Sequence, residues 1–180
     1  MGESTLRRII SLKFCLLFLL AANVAPIAMA NAQDVQRVNA GTIENTVLIS
    51  ENGRSVRLSD YRGKVVFVNF WGSWCTPCLQ EMASIRNLQA RLGGRGDVVF
   101  AFVSAKTSQF QQDTAWLRQN GVAGANYRSA SGAPGLSVPT TFILDQSGAV
   151  ALFRNTAIDW EIHSDLIRNL VSRGWRQASN

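Results

Sequence analysis

Cysteine is scarce in this chain of 180 residues: there are three, and Cys15 falls in an apolar N-terminal stretch, so only Cys75 and Cys78 serve the folded part. Two cysteines so close together shut a small ring and constrain the unfolded chain little, which excludes a disulfide-stapled scaffold and leaves chemistry as the reason to keep them. Histidine occurs once, as His163. A closed zinc site needs about four ligands, and this inventory does not supply them. His163, between Ile162 and Asp165, reads as a surface residue. No Ser-His-Asp order, EF-hand loop or G-x-G-x-x-G phosphate cradle is present, and Gly93, Gly94 and Gly96 instead mark a helix end. Hydrolase and nucleotide-binding classes have no support. Unbroken apolar runs stay short of the ~20 residues that span a bilayer. Repeats are absent, and the basic residues are scattered from Arg37 to Arg176 without the cluster of a nucleic-acid surface.

What is present begins with a targeting segment. Arg7, Arg8 and Lys13 form a positive region, Phe14 to Ala22 an apolar run of nine, and Ala28, Ala30 and Ala32 the small-residue spacing of a cleavage site. Residues 1–30 read as a signal peptide for the general secretory route, cut after Ala30 or Ala32. The alternative is an uncleaved anchor, with Lys13 reaching the interface. Either way the domain faces outward. Leu12, Lys13 and Phe14 are not a lipoprotein cleavage box, so Cys15 is a member of the apolar run. Without residues 1–30, which hold Arg7, Arg8, Lys13 and Glu3, fifteen basic and eleven acidic side chains remain, net +4. That is an ordinary solvated surface. Residues 31–43 read as a polar tether, and 44–176 as one domain.

Within that domain, Val47 to Ile49 and Ser55 to Leu58 flank Asn52-Gly53, a hairpin signal in which both turn residues take positive φ. Lys64 to Phe70 is a nearly continuous β-branched and aromatic run, as in a central strand covered on both faces. Leu79, Met82, Ile85, Leu88 and Leu92 recur at helical intervals up to Gly93-Gly94. Val98 to Val103 is a second buried strand. Ser108 with Gln111 is a capping-box signal for a helix ending near Asn120-Gly121. This order implies a parallel strand–helix–strand unit. Thr140 to Asp145 and Ala149 to Phe153 form a second hairpin around Ser147-Gly148, and Ile162 to Val171 a terminal helix that stops at Gly174.

Trp71-Gly72-Ser73-Trp74-Cys75-Thr76-Pro77-Cys78 sets a C-x-x-C between the end of a buried strand and the start of a helix. At a helix N-terminus Cys75 meets free N–H groups and the positive dipole end, which favour a thiolate, so it reads as the exposed, acidic thiol. Cys78 lies one turn deeper and shielded. Pro77 suits the first turn, where a missing N–H costs nothing. Trp71 and Trp74 form an apolar roof. Two thiols also suit Cu(I), which leaves a copper carrier as the competing reading.

With VVFVNFWGSWCTPCLQE at Val65 to Glu81, VPTTFILD at Val138 to Asp145, and the approach Ser59-Asp60-Tyr61-Arg62-Gly63-Lys64, the chain resembles the thioredoxin superfamily, and more narrowly its TlpA/ResA-like exported reductases, over residues 44–173. The resemblance implies an α/β thioredoxin-like fold, a central mixed sheet flanked by helices with an N-terminal β-hairpin extension. It gives Pro139 the role of a cis-proline against the disulfide and makes Val138 a presenter of backbone to substrate. Trp74, Thr76 and Pro77 are the other expected substrate contacts. Where thioredoxin has a buried aspartate this chain has Asn69, and Glu81 matches a glutamate that the narrower family places near the active site; the plain alternative is an exposed helix residue. Ala83 replaces a frequent proline, and Ala123 to Leu136 is a shorter approach to the cis-proline than usual.

The expected function is protein-disulfide reduction outside the cytoplasm, in the periplasm or an equivalent exported location. Beyond the Cys75-Cys78 pair no cofactor or metal is expected. By resemblance, the substrates are cysteines of apocytochrome c or copper-site proteins, and a membrane thiol donor recharges the pair. A Cu(I) carrier or binding chaperone and a disulfide oxidant are the alternatives.

Overall fold

Strand β3 (Val65–Trp71) is buried along its whole length because successive side chains feed two different cores. Val65, Phe67 and Trp71 enter one apolar cluster, while Val66, Val68 and Phe70 enter the other. In the computed structural model the described residues are 43, 45–130 and 136–178, and statements of structure refer to these. The expected signal peptide, and the tether apart from residue 43, lie outside them.

Around β3 stand β1 (Val47–Ser50), β2 (Ser55–Arg57), β4 (Val98–Ser104), β5 (Ala125–Ser129), β6 (Thr140–Leu144) and β7 (Val150–Arg154), in one sheet of order β2-β1-β5-β4-β3-β6-β7. β3, β4 and β5 run parallel, and the other neighbours are antiparallel. The helices are α1 (Thr76–Leu92), α2 (Phe110–Gln119) and α3 (Ser164–Ala178). From β3 through α1 to β4, and through α2 to β5, the chain steps in one direction across the sheet. Right-handed crossovers then put both helices on the same face. Accordingly Met82, Ile85 and Leu88 of α1, Leu117 of α2 and Ile167 of α3 share the cluster with Phe67 and Trp71.

Three local expectations are corrected, and one strand is added. Only Gly53, at φ +80°, takes a positive φ in the first hairpin; Asn52 instead uses its side-chain oxygen to accept from Ser50 Oγ and the Arg54 amide, and the loop closes as a three-residue turn. The Ser108–Gln111 capping box does not form, because a 3-10 turn at Thr107–Gln109 precedes α2 and its N-cap, Gln109, makes no side-chain cap bond. Strand β5 had no signal of its own: ANYRS is too short and polar to read as a strand, and it pairs because β4 offers a parallel edge. The last helix passes through Gly174, while Ile162 lies outside it in a 3-10 turn, 73% exposed.

Candidate functional site

The C-x-x-C segment begins where β3 ends. The Trp71 carbonyl accepts from the Ala105 amide (2.8 Å), and the Gly72 carbonyl accepts from the Cys75 amide (3.0 Å), turning the chain out of the sheet. The Trp74 ring folds onto Gly72, where a Cβ would lie 2.4 Å from the indole nitrogen. Cys75 then occupies the N-cap of α1 (φ −94°, ψ 102°), with Pro77 in the first turn. The Cys75 sulfur accepts from the Cys78 amide at 3.2 Å, so the N-cap role that serine or aspartate usually fills falls to the cysteine. Cys75 and Cys78 form a disulfide with Cα atoms 5.2 Å apart.

Cys75 retains 5% exposure and Cys78 none, so the expected exposed thiol is nearly covered in the disulfide form and is only the less buried of the two. Of the two tryptophans expected to roof the site, Trp74 does stand at the surface, 45% exposed, with Lys106 Nζ 3.9 Å from its ring centre. Trp71 does not. As the last odd-numbered residue of β3 it points into the core and donates to Asn126 Oδ1, so it lies beneath the site. Thr76 and Pro77 are exposed. The Val138-Pro139 bond is cis, and Thr140 pairs with Phe70, which sets this segment beside the end of β3 that leads to the cysteines. Val138 packs against both cores.

Glu81 is 3% exposed, which overturns the alternative of a plain surface residue. On α1 it shares a stripe with Cys78, Met82 and Ile85, and it meets Asn69, which the strand alternation turns to the same face. Asn69 Nδ2 donates to Glu81 Oε1 (2.9 Å) and to Thr141 Oγ1 (2.8 Å), and Trp160 Nε1 donates to Glu81 Oε2 (3.0 Å). Burial raises the carboxyl pKa above its ordinary range. The bonds from Trp160 and Asn69 and the backbone of Ile158 pull it partly back. A groove of about 500 Å³ lined by Gln80, Ser84, Asn87 and Asp159 reaches Glu81 from the side of α1. A second cleft of about 620 Å³ lies at the far edge, between the first hairpin and α2, and neither cleft is lined by the cysteines.

Trp160 was not legible from sequence. It is fully buried, stands edge-on to Phe67 at 4.8 Å, and a buried indole N–H needs an acceptor, but no periodicity identifies which. His163, expected at the surface, is half-buried: its ring lies tilted against Trp160 at 5.3 Å, and Nδ1 is buried without a partner. Among the described residues no three His, Cys, Asp or Glu side chains are grouped as metal ligands, and no helix is long and apolar enough to cross a membrane.

A parallel unit that carries a C-x-x-C to a helix N-terminus, beside a strand led by a cis-proline, defines a thioredoxin-like fold with a disulfide at its helix start. The chain belongs to the Redoxin family, whose model matches residues 30–165. It is similar to the thiol-disulfide oxidoreductase ResA of Bacillus subtilis (strain 168), at 32% identity over 139 residues, 72% of this chain and 74% of that protein. A ResA of Bacillus thuringiensis subsp. konkukian is 30% identical over 112 residues, 59% of this chain. The chain spans 63% of that relative's length. Among solved structures, a secreted thiol-disulfide isomerase from Corynebacterium glutamicum superposes with a TM-score of 0.56 at 23% identity, covering 67% of this chain and 78% of that one.

Proposed function

We propose that this chain is an exported thiol-disulfide oxidoreductase that reduces disulfides in other proteins. The observation that carries the reading is the Cys75–Cys78 disulfide closed on the N-terminus of α1, with the Cys75 sulfur on a helix amide. In the reductive direction the Cys75 thiolate attacks one sulfur of the substrate disulfide, forming a mixed disulfide and releasing the other sulfur as a thiolate. The Cys78 thiolate then attacks the Cys75 sulfur, which frees the second substrate thiolate and leaves Cys75–Cys78 oxidised by two electrons. Glu81, a buried carboxyl on the stripe of Cys78, takes and returns the proton of the resolving thiol. Trp74, Thr76 and Pro77 at the surface and Val138, before the cis Pro139, receive the substrate chain; a reactive pair outside both clefts suits a protein better than a small molecule. A membrane-held dithiol restores the reduced form, and cysteines of apocytochrome c or of a copper-site protein are the substrate class.

Insulin reduction driven by dithiothreitol, beside an anaerobic Cu(I) titration, tests this. The protein is expected to accelerate insulin precipitation catalytically. Stoichiometric Cu(I) uptake with no acceleration makes it a copper carrier instead.

Export rests on Arg7, Arg8, the apolar run and the alanine spacing, and agrees with the secreted relative. Mass spectrometry of the native protein is expected to find its N-terminus at Asn31 or Gln33, and a full-length membrane-embedded form contradicts cleavage.

A further inference from the structure

Asp113 is a buried acid that the exchange chemistry does not use. It lies on the buried stripe of α2 with Phe110, Thr114 and Leu117, and is fully buried. Its Oδ1 accepts from the Ser73 amide at 2.8 Å. Its Oδ2 has no partner, and neither does the buried Ser73 hydroxyl. A buried carboxyl satisfied by a single bond costs stability relative to an apolar residue of the same shape. Ordinary packing does not account for it.

The bond it does make falls at a telling point. The Ser73 N–H and the Gly72 C=O belong to one planar peptide unit. That unit donates to Asp113 on one side and accepts the Cys75 amide on the other, at 3.0 Å. Holding the N–H fixes the plane, and fixing the plane aims the carbonyl at Cys75. A carboxyl acceptor also polarises the amide and strengthens its carbonyl as an acceptor. Cys75, so anchored through its own N–H, keeps the N-cap conformation in which its sulfur meets the Cys78 amide. The Trp74 indole, folded onto Gly72, closes the outer side of the same turn.

From this chain of contacts we infer that Asp113 is a positioning residue for the nucleophile: through the Gly72-Ser73 peptide it holds Cys75 on the helix amide that favours its thiolate. The inference rests on the reading of Cys75 as the attacking thiol. Asp113 touches neither sulfur, and its part is to supply an acceptor from a rigid helix. When the acceptor is lost the peptide plane can turn, Cys75 loosens, and its thiolate loses part of its stabilisation.

The test compares D113A with D113N, which remove any charge alike and differ in that only the amide still accepts from Ser73. Iodoacetamide labelling of the reduced proteins, read by peptide mass across pH 5 to 9, reports the thiolate fraction of Cys75. D113N is expected to label close to wild type. D113A should label about tenfold more slowly near pH 6, the effect of a pKa one unit higher. L117A, which opens a cavity in the same helix away from the turn, should lower stability and leave the profile unchanged. Coincident D113A and D113N profiles overturn the inference, as does a matching shift in L117A. Should D113A fail to fold, amide exchange in the wild type decides: a protected Ser73 N–H is expected, and exchange at the rate of an open loop contradicts the bond. If wild-type Cys75 labels no faster than an ordinary cysteine, the failure lies with the proposed function.

Discussion

Cys78→Ser is expected to attack a substrate disulfide and accumulate a covalent complex through Cys75, whereas Cys75→Ser traps little or nothing. The asymmetry comes from helix geometry. Cys75 is the N-cap of α1, and its sulfur already accepts from the Cys78 amide, one of the donors that a helix start leaves without a carbonyl. The same donor and the dipole end pull a cysteine at such a position from about 8.5 to somewhere in the ~3.5 to 7.5 range. Until the pKa falls to about 6, each unit of that drop leaves about ten times more thiolate near pH 6. Cys78 lies inside the first turn, fully buried, and its thiolate is needed only to resolve the mixed disulfide. Trapping with a disulfide-bonded peptide, followed by non-reducing electrophoresis, is the check. Complex formation through Cys78 in the Cys75→Ser protein reverses the assignment.

The second large effect is expected at Glu81. Burial raises its folded-state pKa, whereas the unfolded chain titrates at the ordinary carboxyl value. Between those two values the folded protein keeps a proton that the unfolded chain has released. Stability from this residue therefore falls as pH climbs through that window and is level above it. Glu81→Gln removes the slope: it should match or fall below wild type in acid and gain on it as pH rises. The site can accept the amide. The buried Asn69 oxygen has no partner, so turning the Asn69 amide over lets it accept from the new NH2 group and from the Thr141 hydroxyl. Chemical denaturation at a series of pH values is the check, and parallel curves for the two proteins refute the linkage. If Glu81 moves the proton of the resolving thiol, the same substitution also changes the pH profile of insulin reduction. An unchanged profile leaves Glu81 a buried structural acid.

How much of this was legible depended on whether the signal was local. The C-x-x-C, the apolar run of β3 and the hairpin around Ser147-Gly148 state their structure within a few residues, and the mixed sheet followed from their order. Glu81 was half legible: at Cys78 plus three it falls on the stripe that continues through Met82 and Ile85, so the helical period alone argues for burial. Asp113 carries the same signature, an acid on the stripe of Phe110, Thr114 and Leu117, and went unread because acids are assigned to surfaces by default. Trp160 was not legible at all. Its place against Phe67 and Glu81 is set by contacts between residues about eighty to ninety positions apart, which only the folded chain brings together. β5 was missed, and the continuation of α3 past Gly174 misread, for the opposite reason: local propensity was weak or adverse, and a neighbouring strand or an already formed helix overrode it.

Whether Cys75 and Cys78 are an exchanging pair or a staple is decided by their reduction potential. The protein is equilibrated against graded thiol-disulfide buffers, quenched by alkylation and weighed. One two-electron transition is expected, in which both thiols become reactive together at a potential between about −270 and −120 mV, the span of dedicated exchange proteins. A value near the reducing end supports reduction of substrates, and one near the oxidising end supports the oxidant reading. A pair that stays oxidised to below about −300 mV, where structural disulfides lie, is a staple and not an exchanging pair.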